Sequence, residues 1–139
     1  MQPILVSILI PTYNQQQYIS KAVESALAQT YHSLEIIVVD DHGTDETAEI
    51  VASYASKDAR LRYVRNEKNL GRVANYRKAL YNLAKGDYVV MLDGDDYLLN
   101  EKFIELSVSA IQQEKELVLF VKCAHAKFKT WLNKPAPIE

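Results

Sequence analysis

Hydrophobic and polar positions alternate along this chain in blocks. Residues 4–10 read ILVSILI, nearly all apolar, the pattern of a strand buried on both faces. Pro11 ends the run, and Asn14 with Gln17 three residues later has the form of a capping box for a helix reaching about Gln29. Ile19, Ala22, Val23, Ala26 and Leu27 give that helix one apolar face. Residues 36–39 (IIVV) form a second buried strand, ending on Asp40 and Asp41, and His42-Gly43 makes a turn into a helix over residues 45–56. Residues 61–65 (LRYVR) carry charge inside an apolar frame, which suits an edge strand. A loop, NEKNLG, then leads to a helix over 72–84, an apolar strand over 87–92, a helix from an Asn100 cap to about Glu114, and a last strand over 117–121 (LVLFV).

Strands joined by helices imply a mostly parallel sheet covered on both faces, a three-layer α/β/α fold. Open sheets of this kind bind ligands beyond the carboxyl ends of their strands, where the strand order reverses. The polar clusters fall at such ends: PTYN after the first strand, DDHGTD after the second, DGDD after the strand at 87–92. The architecture therefore brings three separate clusters to one sheet edge. A receiver-like or flavodoxin-like domain satisfies the same pattern.

Composition narrows the field. The chain has 139 residues, 48% of them hydrophobic, the size of one domain with a substantial core. A formal net charge of -2 carries no nucleic-acid footprint. The single cysteine, Cys123, excludes an internal disulfide and a cysteine-rich zinc site, and fits a reducing, cytoplasmic setting. The first eleven residues lack a basic leader and a cleavage site, and no apolar run approaches the ~20 residues of a membrane span.

Asp93, Asp95 and Asp96 are the residues the fold does not require. Three acids this close repel one another unless a cation lies among them. In an extended segment Asp93 and Asp95 share a face, Asp96 points elsewhere or begins a turn, and Gly94 lets a ligand approach the backbone. Magnesium or manganese is typically held by one or two carboxylates with phosphate oxygens completing the shell. One reading is thus a divalent ion joining Asp95, with Asp93 beside it, to a diphosphate. The other is a solvated acidic loop. At the Asp40-Asp41 pair, one acid caps local structure, and the other can accept from a base or ribose. His42 reads as a turn residue, and His32 and His125 as surface or packing residues. Arg72 and Arg77 lie five apart, on different faces of their helix, so at most one faces a ligand. Tyr13 either stacks on a nucleobase or covers the core edge.

VSILIPTYN (6–14), YISKAVESALAQTYHSLEIIVVDD (18–41) and AKGDYVVMLDGDDYL (84–98) together resemble a family 2 glycosyltransferase of the GT-A, Rossmann-like fold. Three ordered motifs match at the expected spacing, over nearly the whole chain to about Leu106. The resemblance implies a nucleotide-sugar-binding half over residues 1–121, with 122–139 a tail or the start of an acceptor-binding portion. It implies a UDP-, GDP- or dTDP-sugar donor, UDP foremost, with Mn2+ or Mg2+, and transfer with inversion to a saccharide or lipid-linked acceptor. By motif position Pro11, Thr12, Tyr13 and Asn14 line the nucleoside pocket, Asp41 meets the base, Asp93 the ribose or the metal through water, and Asp95 the metal directly. Arg77, in NYRKAL, resembles basic residues placed near the nucleotide. The sequence departs from the family at His42, where a small residue is common, and at Asn100, where a proline is frequent. No residue up to Glu139 is assigned as the general base, so the chain is expected to bind a nucleotide but transfer sugar poorly or not at all. The tail lysines Lys122, Lys127, Lys129 and Lys134, with Phe128 and Trp131, fit either a peripheral membrane contact or the start of a further portion. Rival readings are a nucleotidyltransferase, which lacks its glycine-rich phosphate loop here, a receiver domain using Asp40, Asp41, Asp93 and Lys122, and a non-catalytic nucleotide-binding module.

Overall fold

The computed structural model describes residues 2–113. The chain order is β1 (Val6–Thr12), α1 (Ile19–Leu27), β2 (Leu34–Asp40), α2 (Thr47–Ala55), β3 (Leu61–Arg65), α3 (Arg72–Lys78), β4 (Tyr88–Met91) and α4 (Phe103–Gln113). A π-helical turn, Ala79–Leu83, continues α3, with the Ala84 amide reaching back to the Ala79 carbonyl. The four strands are all parallel in the order β3-β2-β1-β4. The chain therefore steps outward from β1 to β3, then returns past β1 to place β4, and the strand order reverses between β1 and β4.

Alternate strand residues supply two cores, as period-2 geometry demands. Ile8, Ile10, Ile36 and Val38 face one layer with Ile19, Val23 and Ala26 of α1, Val51 of α2, and Ile104 and Val108 of α4. Leu9, Ile37 and Val39 face the other way, against Ala79 and Leu83 at the end of α3. This is the three-layer sandwich that the apolar runs imply. Fully burying one such Ile or Leu contributes about 1.5–3 kcal/mol, so the strands are firmly held and their carboxyl ends are fixed in space.

Three expectations shift. Asn14 does not cap α1, which begins at Ile19 with no side-chain cap. Asn14 adopts a left-handed φ of 50°, which asparagine tolerates, and its Oδ1 accepts from the Thr44 and Asp45 amides at 2.7 and 3.3 Å. It ties the β1 loop to the β2 loop. α2 starts at Thr47 after an N-cap at Glu46, and Asp45 lies ahead of the helix, accepting from the Thr47 amide at 3.0 Å. β4, expected as a strongly buried strand, is half-buried with Met91 exposed, because among the described residues it pairs only with β1. β3 lies at the sheet edge, as its arginines suggest. The Asn100 side chain accepts from the Lys102 amide at 2.9 Å just ahead of α4. The strand proposed for 117–121, the boundary after residue 121, Cys123, His125 and the tail lysines lie outside the described residues.

Candidate nucleotide and metal site

A cavity of about 410 Å3 opens beyond the carboxyl ends of β1, β2 and β4, roofed by α3. Its lining is Pro11, Thr12, Tyr13, Gln15, Asp41, Asn69, Gly71, Arg72, Asn75, Tyr76, Asp93 and Asp95. Three sequence-separated clusters thus meet at one place. Pro11 and Thr12 end the central strand and are buried, whereas the Tyr13 ring is half-exposed at the rim. Asn14 does not line the cavity; it builds the wall behind it. Arg77 does not line it either: its guanidinium sits 5.8 Å from the centre of the Tyr81 ring. Arg72 is the helix cation that faces inward.

The β2 end is a locked corner. Asp40 is 1% exposed and accepts from the Gly43 amide at 2.8 Å and the Tyr63 phenol at 2.6 Å. Asp41 is 2% exposed; Oδ1 accepts from Asn66 Nδ2 and the Leu70 amide, both at 2.8 Å, and Oδ2 from the Gly71 amide at 2.9 Å. The NEKNLG loop is therefore wrapped around one carboxylate. Gly71 makes this possible, since its φ of 88° is open only to glycine at little cost. Asn75 extends the lock, donating to the Val39 carbonyl at 2.9 Å and accepting from Asn66 at 2.8 Å, while Lys78 donates to Asn66 at 2.8 Å. His42, at φ 63°, is a turn residue whose Nδ1 lies 3.0 Å from the Asn66 carbonyl oxygen.

The β4 end is more open. The Leu92 and Gly94 amides bond the Leu9 and Pro11 carbonyls at 2.9 and 3.2 Å, so the acidic segment is stitched to β1 before it turns. The Asp96 amide donates to the Asp93 carbonyl at 2.9 Å and closes that turn. Asp93, Asp95 and Asp96 each bring one carboxylate oxygen within 4.8 Å of the others, and all three are partly exposed. Asp96 therefore joins the cluster rather than pointing away from it. Gly94 is required for a different reason from ligand approach: a Cβ there would lie 2.3 Å from Gln15 Oε1 and 2.8 Å from Thr12 Oγ1. Thr12 itself donates to Gln15 at 2.7 Å, so these two side chains occupy the space that glycine vacates.

Asp93 is held from α3. The Tyr76 phenol donates to its Oδ1, and Arg72 donates to its Oδ2 at 3.2 Å. Burial first, then the bond to Asp93, pushes the Tyr76 phenol up to about 12, so it stays protonated as a donor at neutral pH. Asp95 has no such donor among the described residues. Three mutually close oxygens with water access, one carboxylate free of protein donors, form the hard-oxygen set that a Mg2+- or Mn2+-type ion takes. Arg72, Asn75 and Tyr76 lie at helical spacing on one face of α3 and all reach the cavity. Sequence reading weighed Arg72 only against Arg77 and missed Asn75, Tyr76, Gln15 and Asn69. The polar stripe at 72, 75 and 76 was the available signal.

An open parallel α/β sheet with acids and a roofed cavity at its switch point has its ligand site beyond the carboxyl ends of the strands. The chain belongs to glycosyl transferase family 2, whose description matches residues 7–138. It is 40% identical over 111 residues to the UDP-Glc:alpha-D-GlcNAc-diphosphoundecaprenol beta-1,3-glucosyltransferase WfaP of Escherichia coli, covering 80% of this chain and 43% of WfaP. Among solved structures, S. aureus TarS 1-349 in complex with UDP-GlcNAc superposes with a TM-score of 0.72 at 32% identity, over 79% of this chain and 32% of TarS. The mannosyltransferase PcManGT from Pyrobaculum calidifontis, in complex with GDP-Man and Mn2+, does so with 0.69 at 25% identity, over 83% and 33%. The fold is that of these GT-A glycosyltransferases. The chain spans less than half the length of the curated relatives it matches. No helix among the described residues is long and apolar enough to cross a membrane.

Proposed function

We propose that this chain is the donor-binding part of an inverting glycosyltransferase, and that it binds a nucleoside-diphosphate sugar together with Mn2+ or Mg2+. One observation carries the metal dependence. The cavity lining holds three carboxylates, Asp41, Asp93 and Asp95, against one guanidinium, Arg72. A diphosphate brought into that field adds negative charge to a surplus of it, and stays only if a further cation comes with it. Asp95, with Asp96 and Asp93 beside it, is where that cation fits. The ion, when bound, neutralises charge growing on the leaving phosphate.

The chain's own residues do the rest of the binding. Pro11, Thr12 and Tyr13 form the floor and rim for the nucleoside, with Asn14 fixing their loop against the β2 turn. Asp41 presents a carboxylate to the base, oriented by the loop wrapped around it. Asp93 stands beside Asp95 on the metal side of the turn. Arg72, not Arg77, is the cation within reach of the phosphates. UDP is the favoured nucleotide, supported by the UDP-sugar named for TarS and the UDP-Glc named for WfaP. WfaP's diphosphoundecaprenol acceptor supports a lipid-linked saccharide as acceptor, a role in the cell envelope, and a site of action at the membrane surface. The proton of the acceptor hydroxyl needs a base, which is assigned to no residue here.

Calorimetric titration of the full chain with UDP, with and without manganese, tests this reading. Affinity should rise about tenfold or more with the metal, at least ~1.4 kcal/mol. Equal affinity in both conditions sinks it. Sugar transfer to any acceptor would rule out the non-catalytic module.

A further inference from the structure

Two carboxylates of the acidic turn differ sharply in what holds them. Both oxygens of Asp93 take donors from one helix, Tyr76 to Oδ1 and Arg72 to Oδ2 at 3.2 Å. Asp95 takes none among the described residues. The two donors are themselves unequal. The Arg72 side chain is 77% exposed and its bond is long, the kind of contact that solvent and salt weaken. The Tyr76 ring is partly buried, with the Arg72 guanidinium 5.4 Å from its centre. Tyr76 is thus the firmer of the two tethers.

We propose that Tyr76 is a positioning residue of the acidic turn, holding Asp93 by its phenol so that Asp95 is left free to meet the metal. The proposal rests on the metal-dependent nucleotide reading above. Its physical content is a division of labour between neighbouring acids. An unheld Asp93 rotates about its side-chain bonds and competes with Asp95 for the ion or swings away from it, and either movement spoils the geometry the diphosphate must meet. A phenol hydrogen bond removes that freedom and disperses part of the Asp93 charge without adding a cation of its own.

The test compares Tyr76→Phe with the wild-type full chain in four titrations: uridine and UDP, each with and without manganese. Uridine lacks phosphates and so reports the nucleoside floor alone. In Tyr76→Phe the manganese-dependent gain in UDP affinity should fall about tenfold, while uridine affinity stays within about twofold of wild type. Placed on Asp93→Ala, the same substitution should change UDP affinity by less than about twofold, because the acceptor it holds is gone. A Tyr76→Phe chain that keeps the full manganese gain overturns the assignment. So does equal weakening of uridine and UDP, which would mean that Tyr76 acts by contacting the nucleoside rather than by holding Asp93. A wild-type chain without any manganese gain removes the premise, and is recognised before a variant is made. Should Tyr76→Phe not fold, p-aminophenylalanine in place of Tyr76 keeps a donor at the same ring position and must retain the gain.

Discussion

The β2 and β4 ends of the sheet both finish in acids, yet the structure uses them in opposite ways. At β2, Asp40 and Asp41 are almost wholly buried and every carboxylate oxygen accepts a hydrogen bond from the protein. At β4, Asp93, Asp95 and Asp96 are partly exposed, crowd their oxygens together, and leave Asp95 without a donor among the described residues. A buried carboxylate that is fully hydrogen-bonded organises backbone. Asp95, partly exposed and without a donor among the described residues, keeps its lone pairs for something that arrives from solution. The same side chain at the same topological place therefore builds the wall in one case and the seat in the other. Asp41 stands between the two roles, locked by the NEKNLG loop and still lining the cavity.

The widest gap between the two ends should appear in folding stability. Asp41→Ala removes the acceptor of the Leu70 amide and of one Asn66 Nδ2 hydrogen, and leaves the Gly71 amide only its longer contact with Asn69 Oδ1. Each unsatisfied buried group costs about 1–3 kcal/mol. We expect a loss of ~3 kcal/mol in urea denaturation, with nucleotide binding lost as the loop loosens. A loss below ~1 kcal/mol would mean the carboxylate is not what holds the loop, and the contrast between wall and seat would fail at its strongest point.

Asp95→Ala is the mirror experiment. No protein donor is stranded, and a repulsive charge leaves the cluster, so stability should move by less than ~0.5 kcal/mol. The manganese-dependent part of UDP binding should vanish, a loss of about tenfold in affinity. Asp96→Ala should do less, since its backbone amide already serves the turn that presents Asp95. A strongly destabilised Asp95→Ala chain would place Asp95 with the wall.

How much of this was legible follows the range of the interactions. The strands could be read because residues 4–10, 36–39 and 87–92 are apolar runs, and burial is a local statistic of the chain. The convergence of PTYN, VVDD and DGDD could be read because parallel topology sends strand ends to one edge. What stayed hidden depends on partners distant in sequence. Asn14 and Gln17 look like a helix cap locally, but Thr44 and Asp45, thirty residues on, take the Asn14 oxygen. Gly94 reads as an opening for a ligand, whereas Gln15 and Thr12 fill the space above it. Tyr76 and Asn75 went unread, because their partners at Asp93, Asn66 and Val39 exist only once the sheet is assembled. Arg77 drew attention as a basic residue in a motif-like string, but the facing position on α3 belongs to Arg72, four residues before Tyr76.

A pH-dependent effect concerns a tyrosine at the wall. Tyr63 donates to Asp40 Oδ2 at 2.6 Å, and burial first, then that bond, raises its phenol well above the ordinary 10.0. The folded state therefore favours the protonated phenol. A group raised in this way contributes stability that is complete below the unfolded value of about 10 and is lost as pH climbs through the folded one. Tyr63→Phe should cost about 1.5 kcal/mol between pH 6 and 9, the low end for a hydrogen bond to a carboxylate. Above pH 10 the wild type begins to lose its Tyr63 contribution and the variant has none to lose, so the gap between them should narrow. Urea denaturation of both chains from pH 6 to 11 measures this. A gap that stays constant to pH 11 would mean that the Tyr63 proton is not shared with a buried Asp40, and the β2 end would then be less tightly locked than its hydrogen bonds indicate.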